Sequence, residues 1–399
     1  MNHRSDKIEI LVFQTIGFVI LPILSFITSV INYKSRISQV FFILFAFYFG
    51  WKIDCVLDLE NHYANFKSYF IGHSLSDVFS NSSVYGIGKE PYHVLFKYIV
   101  GQISTNSHFF AGCAAAVYAS IFILFFRQLR PFYSKRQLAI QFLVMCGIVF
   151  TVEYYWYLGL RYWTGAFFFL AFFIKYINSG KRKDLLISFC AVLFHAAHGI
   201  EILAVLIAVA LQDRRKVLYA LAAVSVVMKT TSNWMYVVLG KVPILKILVK
   251  DSYYDSGIQS SIEERGEFFR SEGNFVYQMR SDVLFGTAVV LLVMLWWKNR
   301  KLNDSYPFFY AVILSLFSVT NFLYMDIIAY ERTFKLLIVL LFTYLYFLLQ
   351  SKNNTWIGKN VFIVGMVAVI VIFSLLTAII QQREYLMNLD VWFGSLWTM

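Results

Sequence analysis

An all-α, polytopic membrane protein is the fold class that this sequence predicts, and three observations predict it. First, 59% of its 399 residues are hydrophobic and its mean hydropathy is +0.64, against the roughly 45–50% apolar content of a soluble domain. Second, the apolar residues gather in runs near the ~20 residues that a helix needs to cross a bilayer. Third, only 15% of residues are charged, and the basic ones cluster in short links between the runs, as they do where charge sets membrane orientation. A net charge of +12 would otherwise suggest nucleic acid. That partner needs a solvated basic surface, and no soluble segment of that size is visible, so no nucleic acid is expected.

Taken in order, the first run, Ile8–Ile31, is long enough to span rather than to be removed as a signal peptide. Ser38–Trp51 follows the basic Lys34 and Arg36, and His108–Phe126 runs into Arg127, Arg130, Lys135 and Arg136. Leu138–Tyr157 and Tyr162–Ile177 are parted by almost no loop, and Lys181, Arg182 and Lys183 close the second of them. Val217–Leu239 starts after Arg214, Arg215 and Lys216, and Val283–Trp297 stops at Lys298, Arg300 and Lys301. Tyr306–Met325, Phe334–Leu349 and Val361–Ile380 complete about ten full crossings, the last two separated by Lys352 and Lys359. With the six basic links cytoplasmic, both termini lie outside and residues 1–399 form one integral membrane domain.

One stretch does not fit a simple crossing. Leu185–Leu211 joins two basic clusters that both belong inside, so it is expected to be a bent hairpin with its tip at Phe194–Gly199. The hairpin would lift His195 and His198 into the outer half of the membrane. Two long segments, 54–107 and 240–282, are expected outside. The first ends in an amphipathic piece, Tyr92–Ile103, and the second opens with Val242–Lys250, which suits the interface. No internal repeat, low-complexity tract or separate soluble domain is visible. Cys55, Cys113, Cys146 and Cys190 form no CxxC pair and read as small core residues, so neither zinc nor a disulfide framework is implied.

Arg161 carries the functional argument. A cation at the junction of two apolar runs costs a few kcal/mol unless it faces a partner or a water-filled cavity. On the same expected face lie Lys52, Asp58, Glu90, His195, His198, Glu201, Arg280, Glu331 and Arg332. Each has a structural alternative. Lys52 snorkels, and Asp58 is solvated. Glu90-Pro91 stops a loop before a short helix, and both histidines are satisfied core residues. Glu201 merely pairs with His198 at helical spacing, while Glu331 and Arg332 cap and anchor a span. Against this stands the set as a whole. Arg161 and Arg332 end different runs, and the arginine fork binds phosphate bidentately. Histidine near neutral pH can take a proton from a sugar hydroxyl. A phosphate cradle and a base beside lipid are what glycosyl transfer from a lipid pyrophosphate requires.

Five motifs, in order, resemble the EpsG-like Wzy polysaccharide polymerases. They are Lys52-Ile53-Asp54-Cys55-Val56-Leu57-Asp58 with Tyr63, Glu90-Pro91-Tyr92-His93-Val94-Leu95, Leu158-Gly159-Leu160-Arg161-Tyr162-Trp163-Thr164-Gly165-Ala166, Ala191-Val192-Leu193-Phe194-His195 and Tyr330-Glu331-Arg332. The chain departs from the family at Lys52, where Arg is usual, at Tyr162, where Gln is common, and at Ala196-Ala197, which lacks a proline often found after the histidine.

The resemblance implies a GT-C-like helical architecture in a bacterial inner membrane. It also implies polymerisation of O-antigen, capsule or exopolysaccharide repeats from an undecaprenyl-pyrophosphate-linked oligosaccharide, with the site facing the periplasm or exterior and a chain-length regulator as a possible protein partner. Arg161, Arg332 and Arg280 would bind the pyrophosphate. His195 is the preferred general base, with Glu331, Asp58 and Glu90 as competitors. No carboxylate cluster has metal-ligand spacing, so neither metal nor cofactor is expected. A glycan ligase and a lipid-linked oligosaccharide flippase or transporter stand as alternatives. The absence of repeated halves weighs against transport.

Overall fold

The computed structural model describes residues 3–32, 35–55, 58–80, 90–129, 138–152, 160–230, 275–299, 306–324, 327–350 and 360–381. These residues are almost wholly helical, and none of them lies in a strand. In chain order the helices are α1 (His3–Ile20), α2 (Pro22–Ile31), α3 (Arg36–Ile53), α4 (Asp58–Tyr69), α5 (Leu75–Ser80), α6 (Pro91–Gly101), α7 (Ser107–Leu129) and α8 (Leu138–Thr151). They continue with α9 (Tyr162–Ser179), α10 (Arg182–Phe189), α11 (Gly199–Leu211), α12 (Arg215–Thr230), α13 (Phe275–Asn299), α14 (Pro307–Phe322), α15 (Ile327–Gln350) and α16 (Val361–Gln381). The helices gather into two compact units, one of α1–α7, α9 and α10, the other of α8 and α11–α16. Among the described residues, three helical segments are long and apolar enough to cross a membrane: Arg36–Ile53, Ser107–Leu129 and Ala329–Gln350.

The expected first crossing, Ile8–Ile31, is not one helix. α1 stops at Leu21, and α2 folds back along it. Gln14 Nε2 donates to Ser29 Oγ at 3.5 Å and to Ser38 Oγ of α3 at 3.0 Å. A straight helix would hold positions 14 and 29 about 22 Å apart. The cause is Pro22 at the first position of α2, which has no N–H to give and drives Leu21 to an extended φ of −150° and ψ of 90°. α2 has 10 residues, so it reaches only about 15 Å, half of the ~30 Å hydrocarbon core. The two helices therefore form a hairpin that turns at Leu21.

The first unit is built around α3 and α7, whose backbones touch. A Cβ added to Gly50 would lie 2.6 Å from the carbonyl oxygen of Ala111, and one on Gly112 would lie 2.9 Å from the Phe47 ring. Small residues that let two backbones approach are what holds helices together where lipid removes the hydrophobic drive. The described residues of segment 54–107, expected outside the membrane, fold largely into α4, α5 and α6. Leu59 and Phe66 of α4, Phe70 just after it, and Val94, Phe96 and Val100 of α6 are buried in one core with Phe110, Ala111 and Ala114 of α7. The amphipathic piece expected at Tyr92–Ile103 is the helix α6.

In the second unit, α15 forms the centre: 89% of an 18-residue apolar window within Ala329–Gln350 is buried, against 33% of the window in α3 of the first unit. Phe342 of α15 packs so closely on α8 that a Cβ on Gly147 would lie 2.5 Å from its ring. The stretch Leu185–Leu211 is interrupted where a tip was expected. α10 ends at Phe189, 3₁₀ turns occupy Cys190–Leu193 and Ala196–His198, and α11 begins at Gly199. α10 packs on α9 in the first unit and α11 on α14 in the second. Residues 153–157 of the expected span Leu138–Tyr157, residues 231–239 of Val217–Leu239, the interfacial piece Val242–Lys250 and the tail beyond Gln381 lie outside the described residues. The expected loop 240–282 overlaps them, and its last residues open α13.

Candidate functional site

Glu90 is the residue that begins α6, and Pro91 follows it at the first helical position, where a missing N–H costs nothing. A residue at that place commonly caps the helix with its side chain. Glu90 does not. Its carboxylate instead takes a hydrogen bond from Arg161, whose Nη1 lies 2.8 Å from Oε2. The other oxygen, Oε1, lies 3.6 Å from Nε2 of His195. Arg161 begins α9 and accepts the backbone N–H of Gly165 at 3.0 Å. His195 follows the 3₁₀ turn Cys190–Leu193, its own N–H bonded to the Ala191 carbonyl at 3.3 Å. Tyr162 stands edge-on to the imidazole with ring centroids 5.7 Å apart. The side chains of Arg161, Glu90 and His195 keep 27%, 13% and 19% of their surface exposed. They are sheltered enough for the charges to attract strongly and open enough for a ligand to reach them. So Arg161, Glu90 and His195, three of the candidates, come together in the first unit.

Behind this cluster runs a polar seam that the sequence pattern does not announce. Glu90, His93 and Lys97 stand at i, i+3 and i+7 on one face of α6. Lys97 is fully buried and donates to Asn65 Oδ1 of α4 at 2.9 Å, with its ammonium 5.3 Å from the Phe70 ring. His93 meets His62 of α4 edge-on at 4.6 Å. Both histidines are buried, and His93 Nε2 has no hydrogen-bond partner among the described residues. Burial first, then the charges of Lys97 and His62, with Arg161 and His195 behind them, hold His93 well below the ordinary histidine range. His93 is therefore a neutral ring at physiological pH.

A further polar group closes α3. His108 Nδ1 lies 2.8 Å from the Trp51 carbonyl, and its Nε2 lies 3.6 Å from Asp54 Oδ2. Asp54 holds a left-handed φ of 66°, a strained conformation for a residue with a side chain. Nearby Cys55 is pushed up to about 12 by burial and then by Asp54 and Glu60, so it stays a thiol and is no nucleophile.

Asp58 opens α4 and Arg280 lies in the second turn of α13; their side chains fall outside the described residues. Glu331 and Arg332 belong to the second unit and sit within the second turn of α15, past the position of a cap. His198 and Glu201 form a fully buried pair in the second unit, Nδ1 to Oε1 at 3.2 Å, the helical-spacing contact of the structural alternative. A cation that sequence reasoning missed is Lys229 of α12. Its ammonium sits 3.4 Å from the Phe285 ring centre, 4.8 Å from that of Tyr324 and 5.1 Å from that of Tyr330. Among the described residues, no three His, Cys, Asp or Glu side chains gather as a metal site would. Compared with known protein families, characterised proteins and solved structures, the chain gives no match.

Proposed function

We propose that the chain is a membrane glycosyltransferase of the EpsG-like Wzy kind. It would transfer a growing glycan from undecaprenyl pyrophosphate to a lipid-linked repeat unit, on the extracytoplasmic face of a bacterial inner membrane. The observation that carries this reading is the half-buried meeting of a permanent cation, a carboxylate and an imidazole at Arg161, Glu90 and His195. In the reaction the acceptor hydroxyl gives its proton to His195 or Glu90, and its oxygen bonds the anomeric carbon of the donor sugar. The bond from that carbon to the diphosphate oxygen breaks, and its electron pair leaves on the diphosphate, whose growing charge Arg161 offsets. Polyprenyl tails hold both reactants at one interface, which supplies much of the orientation.

The GT-C-like architecture and the multiple crossings belong to the same proposal. Replacing the first crossing by the α1–α2 hairpin removes one span and leaves every basic link cytoplasmic. His3, Arg4 and Lys7 then join Arg36 on that side.

The test is chain extension of a lipid-linked repeat by the full-length protein in liposomes. A glycan ladder is expected from the wild type and none from Arg161→Ala. A folded wild type that never extends the repeat sinks the proposal. A lipid-linked oligosaccharide transporter is the second reading, favoured by the interrupted helix at Cys190–His198, since transporters bind substrate at broken helices. Delivery of the lipid across the same liposomes without extension selects it.

A further inference from the structure

Glu90 stands between two groups, hydrogen-bonded to one and close to the other. One of its oxygens sits 2.8 Å from Arg161 and the other 3.6 Å from His195. Two oxyanion atoms bridging a guanidinium and an imidazole make the contact pattern that a phosphate group would make with the same pair. The carboxylate does this at the expense of a local role, because at the start of α6 its side chain makes no cap hydrogen bond. Two alternative partners lie on the first turn of its own helix. One is the backbone of that turn, where the helix dipole favours an acidic side chain and Tyr92 carries the first N–H, Pro91 having none and that of His93 going to the Glu90 carbonyl. The other is the ring of His93, three residues along the same face, whose Nε2 is buried and has no hydrogen-bond partner among the described residues.

We propose that Glu90 is a displaceable internal anion: it occupies the oxyanion site of Arg161 and His195 until a diphosphate ligand arrives, then swings back onto the first turn of α6 and His93. The inference rests on the reading of Arg161 as a phosphate-binding residue and adds what fills that place beforehand. An empty cationic pocket in a mostly apolar protein is costly, and an internal carboxylate removes that cost while remaining weaker than a ligand with more oxygens. Binding then does two things together. It neutralises Arg161, and it releases a carboxylate beside the reacting centre that the guanidinium no longer holds. Affinity and carboxylate release are coupled, and the coupling is reciprocal.

The consequence is counterintuitive for a candidate catalytic residue: its removal should tighten ligand binding. The full-length protein in nanodiscs is titrated with inorganic pyrophosphate and, separately, with farnesyl pyrophosphate. Glu90→Gln is expected to bind each about 5-fold or more tightly than the wild type, within the usual range of coupling between two sites. Arg161→Ala is expected to lose binding of both. Glu90→Asp keeps the charge but is one methylene too short to bridge both partners, and it should also bind more tightly, which covers the case in which the Gln variant does not fold. Tighter binding of the prenyl form than of the inorganic form assigns the site to a lipid headgroup; equal binding assigns it to a free anion. Wild-type binding that is lost in Arg161→Ala but unchanged or weakened in both Glu90 variants overturns the displacement while leaving the phosphate site in place. No binding of either probe by any of the proteins overturns the phosphate site and the displacement with it.

Discussion

Two cations in this chain are sheltered in opposite ways. In the first unit, Arg161 is met by a carboxylate and lies near an imidazole, and a quarter of its side chain is still exposed. In the second, Lys229 is nearly buried, with its ammonium against the faces of Phe285, Tyr324 and Tyr330. Ring faces attract a cation through a fixed quadrupole and cannot be exchanged for anything a solution offers. A carboxylate can be traded for another anion. A charge held by an exchangeable carboxylate is what the proposed chemistry at Arg161 requires, and a charge held by rings serves structure.

The largest effect that sharpens this contrast is at Arg161 itself. Arg161→Ala is expected to abolish polymer in cells that still make the protein and still carry single repeat units. Arg161→Lys should fail too, because a point charge does not reproduce a planar fork on phosphate. Normal long-chain glycan in the Lys variant, seen on a gel, breaks the phosphate role.

Next is His195→Ala. A general base contributes roughly 10²–10⁴-fold, so turnover of about a per cent or less should remain while donor-lipid binding is largely kept. If turnover stays near normal and falls instead in a Glu90, Glu331 or Asp58 variant, the base lies there and His195 is a packing residue.

Lys229→Met is the control for the opposite kind of cation. It should leave polymer length unchanged and lower stability by about 1–2 kcal/mol, the scale of a desolvated cation on aromatic faces, read as a lower melting temperature in detergent. Loss of polymer at a normal protein level would erase the contrast between the two cations.

The smallest effect concerns pH. His93 stays neutral when folded, whereas in the unfolded chain it takes a proton near the ordinary 6.5. The unfolded state therefore binds more protons below that pH. The stability attached to His93 is full above it and falls as the medium is acidified, by about 1 kcal/mol at pH 5.5. His93→Gln should show a smaller drop in melting temperature between pH 7.5 and 5.5 than the wild type. An equal drop assigns the acid sensitivity elsewhere.

What could be read from sequence was whatever interrupts an apolar background. Arg161 stood out because charge between two apolar runs is rare, and Glu90 because a proline follows it. Their meeting across 71 positions was not legible, since it depends on how α6 and α9 pack. Lys97 and His93 were hidden for a related reason: on paper α6 is a mildly amphipathic helix, and only its contact with α4 shows that the polar face is the buried one. The cage around Lys229 draws rings from three separated segments, so no local pattern marks it. The turn at Leu21 is a different case. Pro22 was in plain view, yet a hydropathy run averages over a single residue, and one proline was enough to turn a crossing into a hairpin.

Gln14 gives that hairpin a place in time. Its amide is held by Ser29 and, more closely, by Ser38 of α3. While the chain is being made, residues 8–31 leave the ribosome as one apolar stretch, with Gln14 among them, before the better of its two partners exists. The hairpin can lock only when α3 has followed. The insertion machinery must therefore either hold an uncommitted segment or let it cross and later withdraw it. Stalled chains of increasing length, with one cysteine near residue 5, distinguish the two histories: the cysteine stays shielded from an outside label at every length in the first, and reacts only in chains too short for Ser38 to have left the ribosome in the second. A label that still reaches residue 5 in the finished protein would mean that α1 and α2 cross the membrane after all.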